Sequence, residues 1–226
     1  MLPYGCIHIR NGSRITAYNT SYPYLFYVEK DAVFEIRDSQ LDHCGYSDDY
    51  PGLVVCTSNA TIENATFVSN NGGIYFYNVS KVIILNCTFD RNWDDGIYCY
   101  NSSNIFVENC YLANYGNNIR VFFASNVTIC NCFMKTAIYD NIGIYNSSDV
   151  VIDNTTLSGG GGYGVSCLNS THVTVHNCTL STYYGICAYS TEDVYIADVL
   201  VKYVLQHIIA FYDSFNASIE NCIVQD

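Results

Sequence analysis

Val82-Ile83-Ile84-Leu85-Asn86-Cys87-Thr88-Phe89 is the phrase that decides the fold, because the chain repeats it. It returns as Ile105-Phe106-Val107-Glu108-Asn109-Cys110-Tyr111-Leu112 and as Val127-Thr128-Ile129-Cys130-Asn131-Cys132-Phe133-Met134. Further copies start at Val150, Val173, Val194 and Ala217, and a looser one ends at Asp38. The Asn position falls at Asn64, Asn86, Asn109, Asn131, Asn154, Asn177, Asp198 and Asn221, at intervals of 21 to 23 residues. A second phrase, Gly73-Ile74-Tyr75-Phe76-Tyr77-Asn78, precedes each Asn position and recurs with the same period. Both phrases alternate with period two and are rich in β-branched and aromatic residues, so each reads as a short strand. A repeat of roughly 22 residues holds two or three strands and leaves no room for a helix. Strands of successive repeats must therefore stack in parallel, about 4.8 Å apart. The predicted fold is all-β: a single right-handed parallel β-helix over residues 1–226, of about eight rungs, irregular over 1–60 and regular over 61–226.

At these phrases, over roughly residues 26–226, the chain resembles the parallel β-helix repeats of pectate-lyase-like and related surface proteins. The resemblance implies a fold and little about activity, since lyases, hydrolases, epimerases, phage tailspikes and inert surface proteins share it.

Columns read down the stack assign sides. Ile74, Ile97, Ile119, Ile142, Val165, Ile186 and Ile209 are all aliphatic and should face the core, as should Phe76, Cys99, Val121 and Ile144 two residues on. Cys87, Cys110, Cys132, Cys178 and Cys222 share another such column. Stacked thiols point the same way, a poor disulfide geometry, and there is no C-x-x-C pair for zinc, so they read as small core residues. Asn64, Asn86, Asn109, Asn131, Asn154, Asn177 and Asn221 read as a turn ladder, because Asn tolerates left-handed backbone and can bond the next rung through its amide. Asn78, Asn101, Asn146 and Asn169 head N-x-S/T sequons at an exposed turn and are candidate N-glycosylation sites of an exported glycoprotein. Tyr77, Tyr100, Phe122, Tyr145, Leu168, Tyr189 and Tyr212 form an outward aromatic stripe. Three readings of it stand: cross-strand stacking, a lateral protein interface, or a platform for sugars.

The chain has 9 Lys and Arg against 21 acids, a net charge of −12, which disfavours nucleic acid and anionic membranes as partners. No apolar run reaches a membrane span and no signal peptide is visible at the start. No metal or organic cofactor is implied. The best carboxylate cluster is Asp90-Arg91-Asn92-Trp93-Asp94-Asp95-Gly96. Its Asp94-Asp95 pair faintly resembles the acid pair of polygalacturonase-type glycosidases, which would imply acid and base roles. The Gly-His-Gly and Arg-x-Lys that accompany it in that family are missing; the next rungs offer Asn118-Ile119-Arg120 and Asp140-Asn141-Ile142. Arg120 has Tyr98 and Gly143 as column neighbours, not acids. The expectation is therefore a protein that is not an enzyme. No capping helix covers either end, so the last rung, with Ile219, Cys222 and Val224, is a candidate stacking surface. The main expectation is an extracellular or cell-surface structural β-helix, with the virion surface as a further location. It would pair with itself, head-to-tail and laterally, into a filament, sheath or lattice. The alternative is a carbohydrate-binding or polysaccharide-degrading module of tailspike or glycosidase type, with glycans as partner.

Overall fold

A computed structural model describes residues 5–17, 24–47 and 51–225. Among these residues there is no helix; the chain winds through three parallel sheets. The first sheet holds ten strands, from Cys6–Ile9 through Ser80–Leu85 and Ser103–Glu108 to Ser218–Glu220. The second also holds ten, from Arg14–Thr16 to Ile223–Gln225. The third, here the tyrosine sheet, holds nine, from Phe26–Val28 through Ile97–Tyr100 to Gln206–Tyr212. Each strand pairs with the one three along, so every turn of chain spends one strand in each sheet. The result is one β-solenoid of about nine turns, close to the eight expected.

Stacking puts like on like. Val82 pairs with Ile105 in the first sheet, and Ile97 with Ile119 in the tyrosine sheet. Ile74, Ile97, Ile119, Ile142, Val165 and Ile186 are at most 1% exposed. Full burial of each aliphatic side chain is worth about 1.5–3 kcal/mol, and one continuous column of them runs the length of the rod. Phe67 and Phe89 stack at 4.8 Å within it. Cys87, Cys110, Cys132 and Cys178 are buried, and each thiol donates to the carbonyl two residues earlier. Burial also pushes the Cys99 thiol up to about 12, so it stays protonated and unreactive at neutral pH.

The Asn column turns the chain between the first two sheets. Asn64, Asn86, Asn109, Asn131, Asn154, Asn177 and Asn221 all have φ between 44° and 54°, the left-handed region that a short amide side chain tolerates. The amides of Asn86 and Asn154 bond the Asn one rung earlier, at 3.2 and 2.7 Å; those of Asn64, Asn131 and Asn177 reach Asp38, Glu108 and Asp153. The described part of residues 1–60 joins the same sheets through Val33–Arg37, Gln40–Asp42 and Gly52–Val55. Unequal connections hide that periodicity in the sequence; residues 48–50 of the irregular stretch, and residues 1–4 at the start, lie outside the described residues.

Candidate functional site: a cleft on the tyrosine sheet

The site begins two residues before each tyrosine-sheet strand's first core position. In successive turns this place holds Asp95, Asn117, Asp140 and Tyr163, stacked and bonded in a row. Asn117 donates its backbone N–H and its amide to Asp95 Oδ1, at 2.9 and 2.8 Å. Asp140 N–H donates to Asn117 Oδ1 at 3.1 Å, and Tyr163 N–H to Asp140 Oδ1 at 2.8 Å. Beneath this row runs a second asparagine ladder, wholly buried. Asn92 donates its amide to Asn114 Oδ1 (2.7 Å), Asn114 to Asn118 Oδ1 (3.1 Å), and Asn118 to Asn141 Oδ1 (2.8 Å). Buried amides cost free energy unless bonded, and bonded to each other they hold the turn backbones to one geometry. The sequence reading missed this ladder, although Asn70, Asn92 and Asn114 fall 22 residues apart.

Arg120 points outward from the next turn and lies over the Tyr98 ring, 4.3 Å from its centroid. Its Nε sits 2.7 Å from Asp95 Oδ2. The N–H is not aligned with that oxygen, so neither atom completes a hydrogen bond and the contact is ionic. Asp95 is fully buried. Burial raises its carboxyl to about 6, against the pull of Arg120 and with the push of Asp94. Asp94 accepts a 2.5 Å bond from the Tyr75 hydroxyl. Asp140, two turns beyond Asp95, is half-buried. Its Oδ2 accepts from Ser166 Oγ at 2.5 Å and from the Tyr145 hydroxyl at 3.2 Å. The Tyr145 ring reaches it by lying over Gly143, where a Cβ would come within 2.7 Å of the ring.

Over these groups opens a cleft of about 620 Å³. Tyr98, Phe122 and Tyr145 contribute aromatic surface, with Tyr163 and Tyr184 further along the stack. Ile138 and Tyr139 contribute apolar surface from the adjoining turn, and Arg120 and Asp140 are the charged groups that line it. Burial pushes the Tyr98 phenol up to about 12 and raises that of Tyr145, so both are hydrogen-bond donors at neutral pH. Such a site offers flat aromatic faces to the C–H faces of a ring, a cation, and one oriented carboxylate.

The expected site residues divide. Of the aromatic stripe, Tyr77, Tyr100, Phe122 and Tyr145 run as one ring ladder with centroids 5.7–6.1 Å apart. Leu168, Tyr189 and Tyr212 continue it with more exposure, and Phe122 and Tyr145 are the members that line the cleft. Asp94 and Asp95 are not among the lining residues; Asp95 is buried behind Arg120 and Asn117, which are. Asn78, Asn101, Asn146 and Asn169 lie at positive φ on the tyrosine-sheet turns; Asn101 donates its amide to Asn78 at 2.6 Å and Asn169 to Asn146 at 3.5 Å. Ile219 and Val224 of the last rung are about half exposed and Cys222 is partly buried. Arg120 has the column neighbours expected of it, yet it has an acid partner after all: Asp95 reaches it from the previous turn's connection, which a column reading does not compare.

The family model described as "Right handed beta helix region" matches residues 4–136 and 116–226, and the chain belongs to that family. Among solved structures, the chain is similar to the A-module of mannuronan C-5 epimerase AlgE4 from Azotobacter vinelandii. The identity is 14% and the TM-score 0.68, covering 97% of this chain and 76% of that one. It is similar to the periplasmic alginate epimerase AlgG at 12% identity and TM-score 0.66, over 99% of this chain and 70% of that one. It is also similar to tailspike protein 2 of the Escherichia coli O157:H7 bacteriophage CAB120, at 9% identity and TM-score 0.59, over 98% of this chain and 34% of that one. No curated protein matches the sequence. At these identities the likeness shows the fold. It nevertheless overturns the expectation of a non-enzyme. That expectation rested on the missing Gly-His-Gly and Arg-x-Lys and on the lack of acids among the column neighbours of Arg120. Epimerases wind the same way along nearly the whole of this chain, and a charged cluster is present as Asp95, Arg120 and Asp140.

Proposed function

We propose that this chain is a carbohydrate-active β-helix protein, acting outside the cytoplasm, that holds a polysaccharide on its tyrosine sheet with one sugar ring in the cleft. One observation carries the reading: a single cleft collects six aromatic rings, a guanidinium and a carboxylate whose orientation is fixed by Ser166, Tyr145 and Tyr163. The ring faces bind the apolar side of a sugar. Asp140 is the group positioned to exchange a proton with it, and Arg120 meets its negative charge, resident or developing. The solved structures named above, by title epimerases and a tailspike, support a carbohydrate-directed role for this architecture over a self-assembling one.

The test is incubation with a panel of alginate, polygalacturonate and bacterial lipopolysaccharide, following new reducing ends, ultraviolet absorbance of unsaturated products, and sugar configuration by NMR. Asp140→Asn should lower turnover by about 10²–10⁴-fold, the usual contribution of a positioned acid or base, and leave binding close to wild type. Failure of the wild-type protein to bind any saccharide would overturn the reading.

A second reading, head-to-tail stacking, is favoured by Ile219, Ile223 and Val224, which expose aliphatic surface on the last described turn at 48%, 56% and 50%. One more turn, from a continuing chain or from another molecule, would cover them. In negative-stain electron microscopy at rising concentration, rods of uniform width that Ile219→Lys abolishes are the expected result of this reading; a monodisperse monomer removes it.

A further inference from the structure

Beside the cleft, folding leaves a row of apolar side chains exposed on the turns leading into the tyrosine sheet. Trp93 is 70% exposed and Tyr115, one turn later, 40%. Their rings stack with centroids 5.1 Å apart and planes 26° from parallel. Ile138 (59%) and Tyr139 (64%) follow on the next turn. These side chains do not hang from a loose loop. Trp93 N–H donates to Asn70 O at 3.0 Å, Tyr115 N–H to Asn92 O at 2.9 Å, and Ile138 N–H to Tyr115 O at 3.0 Å. The buried Asn92–Asn114 amides lie directly under the same turns. The surface is thus preorganised, and a ligand meeting it loses little of its binding energy to ordering side chains.

We infer that Trp93 and Tyr115 form a second sugar subsite, a shelf that takes the apolar face of a pyranose ring in the same polysaccharide chain that occupies the cleft. This rests on the carbohydrate reading above. Continuity selects the occupant: Ile138 and Tyr139 line the cleft and also extend the row begun by Trp93 and Tyr115, so a chain leaving the cleft on that side passes onto the shelf. Arg91 and Asp94, which flank Trp93 in sequence, have protein partners in Asp90 and the Tyr75 hydroxyl, and the shelf itself presents ring faces and one hydroxyl. The two rings are parallel and stacked, so the pair presents the outer face of Trp93 to the flat C–H side of a pyranose, with Tyr115 behind it.

Trp93 is the only tryptophan of the chain, so its emission reports on the shelf alone. The experiment titrates wild-type protein with disaccharides and octasaccharides prepared from alginate, polygalacturonate and dextran, following tryptophan fluorescence and acrylamide quenching beside calorimetry. Octasaccharide binding should shift the emission to the blue and protect Trp93 from acrylamide, while a disaccharide seated in the cleft leaves both unchanged. Trp93→Ala combined with Tyr115→Ala should weaken the octasaccharide by about tenfold or more and leave the disaccharide within about twofold; Trp93→Phe should keep most of the affinity. Calorimetric binding with no change at Trp93 overturns the shelf and leaves the cleft standing. An emission shift that follows protein concentration without sugar assigns the surface to a second copy and also overturns it. Binding of no saccharide at all overturns shelf and cleft together.

Discussion

Arg120→Met is expected to cost about 2–4 kcal/mol of stability at about pH 8, and clearly less at about pH 5. The pair it breaks is uneven. Asp95 is fully buried, whereas the Arg120 side chain keeps 33% exposure. Removing one member of a buried pair leaves the other charge uncompensated, at about 3–5 kcal/mol where both are sealed; the exposure of Arg120 calls for a discount from that figure. The pH dependence follows from Asp95. Its folded-state value, about 6, lies above the ordinary 3.8. A carboxyl raised in this way favours the folded state below 3.8, and that advantage disappears as pH rises through 6. Without Arg120 the carboxyl rises further, because the cation is what holds it down. The folded variant then keeps a neutral acid at low pH, which needs no cation, and faces an unpaired charge at high pH. Denaturant melts of wild type, Arg120→Met and the Asp95→Asn, Arg120→Met double variant at both pH values decide the matter. The double variant should recover most of the high-pH loss. Equal losses at both pH values would show that Arg120 acts through packing on Tyr98 rather than through Asp95.

The second large effect is expected inside the stack. Asn114→Leu should destabilise the protein by about 3–5 kcal/mol. Asn114 Oδ1 accepts from both the backbone N–H and the amide of Asn92, and its own amide donates to Asn118 Oδ1. Leu is similar in size but offers none of this, so at least two buried polar groups lose a partner, each at about 1–3 kcal/mol. The damage is directional. The ladder underlies the turns that carry Trp93, Asp95 and Asn117, so hydrogen exchange should accelerate over residues 92–118 well before it does around Thr171–His176. Uniform acceleration along the rod would mean that the ladder supports the whole fold and not this edge in particular.

How much of this was legible beforehand depended on whether the relevant contacts run along a column. Ile74 to Ile186 is one column, each residue meeting its equivalent a turn away, so spacing alone put it in the core. The left-handed Asn turns were legible for the same reason. The cleft was not. Asp95 meets Arg120, and Asp140 meets Ser166, by crossing from two residues before a strand to the outward column of the next turn. Such diagonal pairs join different positions of the repeat and look unrelated when equivalents are compared. Gly143 hid a further piece: a missing side chain reads as a weak strand position, while its effect is to let the Tyr145 ring fold over toward Asp140.

The closed period of 21 to 23 residues also sets how such a molecule can change length. Each turn rests on the one before and supports the one after, and every hydrogen bond between strands runs along the rod. Removing one complete turn away from the cleft would bring two equivalent faces together, Ile onto Ile and Asn onto Asn, and shorten the rod by about 4.8 Å. Removing one residue from within a strand would instead turn the strand over, sending its aliphatic column into water and its polar side chains into the core. Heritable insertions and deletions within the strands are thereby filtered into whole-turn steps, the connections absorb the differences of one or two residues between turns, and the cleft, assembled from a few consecutive turns, can be inherited intact by rods of many lengths.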